Sequence, residues 1–176
     1  KIFVLGHDDR CDGSGKPCYV VLRDPRERLV SALAFKQQGG EWRGERLLGN
    51  TCHGWLMGKN LSTILSDVDA LDRHCEFFQA SSKKATHCVF RPLQWWINGH
   101  ENNIDFLCFP DLKASFAQVV APFCANATCA LPKRNPSNHS FLYGGNASNH
   151  GAALNAFAET WYAPDLALFR RHCGLL

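Results

Sequence analysis

The sequence predicts an α/β fold with a central, mostly parallel sheet flanked by helices, and three observations carry that expectation. Cys18–Leu22 (CYVVL) is a short apolar, β-branched run followed at once by a capped helical pattern. Ile104 to Phe109 (IDFLCF) is a second such run, again followed by a helix start. Helical periodicity occupies much of the remainder, so strands and helices alternate along the chain.

Taken in order, Lys1 to Leu5 (KIFVL) reads as a strand with Gly6 and His7 at its end. The connection Asp8 to Lys16 is too short for a crossover helix, which needs about a dozen residues. This strand and Cys18–Leu22 are therefore either separated in the sheet or paired antiparallel. Gly13-Ser14-Gly15-Lys16 lacks phosphate-loop spacing and runs into Pro17 before a strand, so it reads as a turn. After Cys18–Leu22, Asp24 supplies an N-cap oxygen, Pro25 stands at N1 and Glu27 at N3. That combination predicts a helix from about Pro25 to Phe35. Leu29, Ala32 and Leu33 form its apolar stripe, and Ser31 returns to the face of Asp24, Glu27 and Arg28.

Gln37 to Gly58 is glycine-rich and reads as irregular, anchored by Trp42 and Trp55. Asn60 to Phe78 reads as one helix, with Leu61, Ile64, Leu65, Val68 and Leu71 inside and Asp67, Asp69 and Asp72 outside. Ser81 to Thr86 is polar and basic, a loop. Pro110 and Asp111 start a helix Leu112 to Val120, and Ala152 to Arg171 is helical with a break at Pro164. At 176 residues, with no repeat and no linker, the chain reads as one domain, 1–176.

Hydrophobic residues at 45% and charged residues at 20% describe a globular chain, not a disordered one. The net charge of +3 admits an anionic substrate or cofactor without requiring nucleic acid. No apolar run approaches the ~20 residues that span a bilayer. Nine cysteines are many for a reducing compartment, and none forms a C-x-x-C pair. The adjacent pairs Cys52-His53, His74-Cys75, His87-Cys88 and His172-Cys173 do not have the ligand spacing of a zinc site, and no metal is expected. Sequons at Asn60, Asn126, Asn138 and Asn146 agree with a secretory route. Cys124 and Cys129 bracket one of them and could close a small disulfide loop.

Arg23 stands at the carboxyl end of a strand, where open α/β sheets bind ligands, and Ser31 follows on the next helix. An arginine and a hydroxyl so placed suit a phosphate, although an ordinary βα unit whose arginine pairs with Asp24 or Glu27 would look the same. The segment Arg23 to Ala32 (RDPRERLVSA) after a strand resembles the 3′-phosphate-binding segment of sulfotransferases that use 3′-phosphoadenosine-5′-phosphosulfate (PAPS). The likeness is to Golgi carbohydrate sulfotransferases, including the heparan sulfate 2-O-sulfotransferase group. It is specific over about twenty residues, Lys16 to Phe35, with weaker echoes towards the C-terminus.

The resemblance implies the P-loop nucleotide-kinase-like sulfotransferase fold, with Arg23 and Ser31 on the 3′-phosphate of PAPS. Gly6-His7 resembles a Gly-His that precedes the corresponding segment, which makes His7 the candidate base; here the spacing is shorter. An unperturbed histidine titrates near neutrality, as a base for a sugar hydroxyl should. His87 to Trp96 resembles a segment near the acceptor, giving His87 and Arg91 as substrate-binding candidates. The family's Pro-Gln pair is interrupted by Leu93, so Gln94 carries little weight. Pro110 stands where related sequences have an acid. Leu131 to Pro136 resembles a late loop over the nucleotide, giving Lys133 and Arg134 as further phosphate ligands. Tyr162-Ala163-Pro164-Asp165 resembles the closing Tyr-x-x-Asp segment.

The family's loop for the 5′-phosphosulfate normally follows its first strand and is not found here. The expectation is an N-terminally incomplete catalytic domain lacking its first β-loop-α unit, from a membrane-anchored parent in the Golgi lumen or secretory pathway. The implied activity is PAPS-dependent sulfation of a hydroxyl on a glycan, without metal. The alternative is a catalytically inactive domain of the same fold that binds glycans or nucleotides. A P-loop phosphotransferase is disfavoured because no Walker lysine or metal-holding hydroxyl is in place.

Overall fold

A computed structural model describes residues 18–38, 51–75, 90–97, 102, 104–120 and 151–174. The expected strand at Lys1 to Leu5, the Gly13–Lys16 turn, the Ser81 to Thr86 loop and the Cys124 and Cys129 pair lie outside them. The described elements are β1 (Cys18–Leu22), α1 (Pro25–Gln37), α2 (Thr51–Leu56), α3 (Leu61–Ser66), α4 (Val68–Cys75), α5 (Leu93–Ile97), β2 (Ile104–Cys108), α6 (Leu112–Val120), α7 (Gly151–Trp161) and α8 (Ala163–Cys173). A single 3-10 turn, Phe109–Asp111, joins β2 to α6. The chain is thus mixed α and β, mostly helical among the described residues, with a two-stranded parallel sheet.

These elements group into two compact units. Of the described residues, the first contains β1 with Arg23 and Asp24, α5, β2, the 3-10 turn, α6 and α8 from Pro164 onward. The second contains α1 to α4, Phe90 to Pro92, α7, Tyr162 and Ala163. Both are assembled from separate stretches of chain, a division that leaves no linker for composition to mark.

In the first unit β1 pairs with β2 in parallel, from Cys18 opposite Ile104 to Leu22 opposite Cys108. The side-chain period of two then sorts the residues by face. Val20, Leu22 and Ile104 are buried with Ile97 of α5 and Leu168 and Phe169 of α8, and Cys18, Phe106 and Cys173 pack against them. Val21, on the other face of β1, is 43% exposed. The apolar run at Cys18–Leu22 therefore builds a strand that is buried at Val20 and Leu22 and exposed at Val21. A disulfide between Cys108 and Cys173 joins the end of β2 to the end of α8.

The second unit is a helical cluster. α1 starts at Pro25 as expected and runs to Gln37, and it buries Val30 and Ala34 besides Leu29, Ala32 and Leu33. They meet Cys52 and Leu56 of α2, Leu61, Ile64 and Leu65 of α3, Leu71 and Cys75 of α4, Phe90, Phe157 of α7 and Tyr162. Fully burying a leucine contributes about 1.5–3 kcal/mol, so this cluster dominates the unit's stability.

Two expectations are corrected here. The stretch Gln37 to Gly58 is not wholly irregular, because Thr51–Leu56 is helical. That short helix has little intrinsic support and is fixed by tertiary contacts. The Gln37 amide donates to the carbonyls of Leu56 (2.7 Å) and Lys59 (3.1 Å) beyond its end. The Cys52–Cys75 disulfide ties it to α4, and the Trp55 ring stacks on His74 with centroids 5.6 Å apart. Gly58, at φ +72°, supplies the left-handed residue that stops it.

Of Asn60 to Phe78, expected as one helix, the described part to Cys75 is instead α3 and α4 with a break at Asp67. Asp67 leaves helical geometry (φ −120°, ψ 72°), and its Oδ1 accepts from the Ala70 amide at 3.0 Å. A short carboxylate competing for backbone amides ends one helix and caps the next, although the apolar spacing runs through unbroken. The Ala152 to Arg171 break falls at Tyr162, and Pro164 sits in the first turn of α8, where its missing N–H costs nothing.

Replacing Asp67 with alanine removes a cap worth about 1 kcal/mol, whereas asparagine keeps the acceptor. Denaturant titration of the oxidised protein should give a lower midpoint for Asp67→Ala and a near-native one for Asp67→Asn. The Cys52→Ser/Cys75→Ser double variant should lose about 3 kcal/mol, from the loop entropy of a 23-residue separation.

Candidate functional site

The carboxyl edge of the sheet is set by the parallel ladder. Because Leu22 lies opposite Cys108, the next residues, Arg23 and Phe109, emerge side by side. The Arg23 guanidinium carbon lies 4.8 Å from the centroid of the Phe109 ring, a cation–π distance. Phe109 is 43% exposed and Arg23 is half-buried, so the cation is carried on an apolar platform at the surface of the first unit. A guanidinium is a planar, permanently charged donor group of the kind that binds phosphate and carboxylate oxygens. Sequence reasoning placed Arg23 but missed Phe109, since a ring remote in sequence becomes its neighbour only through strand register.

Ser31 lies half-buried on α1, in the second unit, three residues beyond Arg28 on the same stripe. The Arg28 guanidinium carbon is 5.2 Å from the Tyr162 ring centroid, and Arg26 donates to Asn155 Oδ1 at 2.9 Å. Arg91, also in the second unit, is 7% exposed, which leaves little surface for direct contact with an acceptor. His7, His87, Lys133 and Arg134 lie outside the described residues.

The closing segment Tyr162-Ala163-Pro164-Asp165 has a definite physical part. In the second unit the Tyr162 hydroxyl, on a side chain 2% exposed, donates to the Phe90 carbonyl at 2.6 Å. In the first, the Asp165 carboxylate, also 2% exposed, accepts from the amides of Leu93 (2.7 Å) and Gln94 (3.2 Å). Those two amides open α5 and have no partner within the helix, so the carboxylate satisfies them and complements the positive end of the helix. Gln94 thus matters through its backbone, and the side chain of Asp165 fixes the start of α5. Spacing alone gives no sign of this, because the partners are 71 and 72 residues apart.

Of the adjacent cysteine–histidine pairs, the three at 52–53, 74–75 and 172–173 have their cysteines in disulfides, and His87-Cys88 lies outside the described residues. All five described cysteines, Cys18, Cys52, Cys75, Cys108 and Cys173, are disulfide-bonded. Their histidine neighbours pack beside them: His53 Nδ1 lies 3.3 Å from the Lys36 carbonyl, and the His172 ring sits 4.3 Å from that of Phe106. No helix among the described residues is long and apolar enough to cross a membrane. Comparison with known proteins finds no matching family model, no matching curated protein and no matching solved structure.

Removing the Asp165 carboxylate as alanine takes the acceptor from two part-buried amides, each loss costing about 1 kcal/mol or more. Asp165→Ala should therefore be among the most destabilising polar substitutions, read as a lowered denaturant midpoint. Tyr162→Phe, which takes the hydroxyl from the buried Phe90 carbonyl, should cost about 1–3 kcal/mol.

Proposed function

We propose that this chain is a PAPS-dependent sulfotransferase acting on a hydroxyl of a glycan in the Golgi lumen or secretory pathway. The observation that carries the reading is the segment Arg23 to Ala32 (RDPRERLVSA), set directly after a strand. Three structural facts support it. The segment begins at the carboxyl end of a parallel strand, the side on which α/β folds bind nucleotides. Arg23 is oriented by Phe109 at that edge. The described cysteines are all oxidised, as in a secretory compartment.

PAPS supplies the sulfuryl group when bound. Arg23 holds the 3′-phosphate by charge-assisted hydrogen bonds, and Ser31 adds a neutral donor. Lys133 and Arg134 answer further phosphate charge, and His7 takes the proton from the acceptor hydroxyl. His87 is the residue we assign to acceptor contact. Arg91, buried as it is, fits the support of that segment better than direct contact.

The test is calorimetric titration of the full chain, in oxidised form, with 3′-phosphoadenosine-5′-phosphate, using adenosine-5′-phosphate as the control ligand. The 3′-phosphorylated nucleotide should bind more tightly. Arg23→Ala should weaken that binding by about 1.5–3 kcal/mol, roughly 10- to 150-fold. Phe109→Ala should weaken it by less, since the arginine remains and only its orientation is lost. Equal affinity for both nucleotides, or indifference to Arg23, would overturn the assignment.

A further inference from the structure

Asn60 stands in the sequon Asn60-Leu61-Ser62 and is the N-cap of α3. Its side-chain oxygen is engaged twice, accepting from the backbone amide of Thr63 and from the Thr63 hydroxyl, each at 3.0 Å. Its amide nitrogen, Nδ2, donates to no group among the described residues. The residue is exposed and its backbone is extended (φ −85°, ψ 168°). The two halves of one amide therefore have separate fates: oxygen turned into the helix cap, nitrogen left for other chemistry.

We propose that Asn60 is N-glycosylated, and that the modified residue still caps α3. The proposal does not depend on which reaction the chain carries out; it needs only passage through a compartment in which the chain's disulfides form. The co-reactant is an oligosaccharide joined through its anomeric carbon to a lipid diphosphate. Nδ2 forms a bond to that carbon and gives up one proton, the bond from carbon to the diphosphate oxygen breaks, and the lipid diphosphate leaves with the bonding pair. No oxidation or reduction takes place. The product is a secondary amide whose oxygen keeps both lone pairs, so the bonds from Thr63 survive, whereas a glycan on a residue that needed Nδ2 for packing would break the fold.

The order of events is also fixed by burial. Leu61, the middle residue of the sequon, is fully buried in the helical core of the second unit, with 0% exposure. A transferase that takes Asn60 and Ser62 into its site together needs Leu61 undocked, so transfer precedes docking of α3 and the glycan is on the chain when its core forms.

The experiment is expression of the full chain behind a secretory leader in eukaryotic cells, followed by peptide mapping of total protein, secreted and retained, before and after peptide N-glycosidase. Enzymatic release converts a glycosylated asparagine to aspartate. Most copies of the Asn60 peptide should carry glycan before treatment and aspartate at position 60 after it. Ser62→Ala should abolish the modification at Asn60 while leaving the cap oxygen in place. Asn60→Asp should abolish it too, with the cap function retained. Both variants should then unfold at denaturant concentrations close to that of the enzymatically deglycosylated protein. An unmodified Asn60 peptide in most chains overturns the proposal, whatever the state of Asn126, Asn138 and Asn146. A glycosylated chain in which the Thr63 amide exchanges with solvent as fast as in an uncapped Asn60→Ala variant overturns the claim that the modified residue still caps α3.

Discussion

The parallel ladder between β1 and β2 is the constraint from which most of the first unit follows. Parallel strands cannot be joined by a tight turn, so a long connection must separate β1 from β2 in the chain. The register then fixes three neighbourhoods at once. Val20 and Leu22 share a face with Ile104 and Phe106, which gives α5 and α8 an apolar surface to cover. Leu22 opposite Cys108 puts Arg23 next to Phe109 at the carboxyl edge. Cys108 itself falls where Cys173 can reach it, so the end of α8 is bonded to the end of the strand. A slip of one residue would reverse the faces and undo all three.

Polar side chains do the finer positioning, each by satisfying backbone groups that helix ends leave open. Gln37 covers the carbonyls at the end of α2, Asn60 and Asp67 cap α3 and α4, and Asp165 covers the first amides of α5. α2, α3 and α5 have six, six and five residues, too short to persist on propensity alone. Their geometry is held by these caps, by burial and, for α2, by the Cys52–Cys75 bond. Disulfides and caps together therefore stand in for helix length at the shortest helices among the described residues.

Much of the candidate phosphate segment was legible in the sequence because its signals are local. Cys18–Leu22 and Pro25 onward follow from a β-branched run, a capping aspartate and a proline at N1, all within a dozen residues. The same locality explains the agreement at Leu112–Val120. Where a local signal had competition, the pattern misled. The apolar spacing from Leu61 to Leu71 is continuous, yet Asp67 offers the backbone an alternative partner and two helices result. Thr51–Leu56 has no stripe strong enough to announce a helix, and contacts from Gln37 and Cys75 decide it.

The sequence by itself determined where strands and the longer helices begin, which arginine ends the first described strand, and that the cysteines suit an oxidising compartment, because each of these rests on neighbours in the chain or on composition. Only the tertiary structure decided that Phe109 underlies Arg23, that Tyr162 bonds the Phe90 carbonyl, that Asp165 caps α5, and that Cys52 pairs with Cys75 and Cys108 with Cys173. These partners lie 23 to 86 positions apart in the chain. No propensity or periodicity reaches that far; what joins them is strand register and the burial of a shared core, which exist only once the chain has folded.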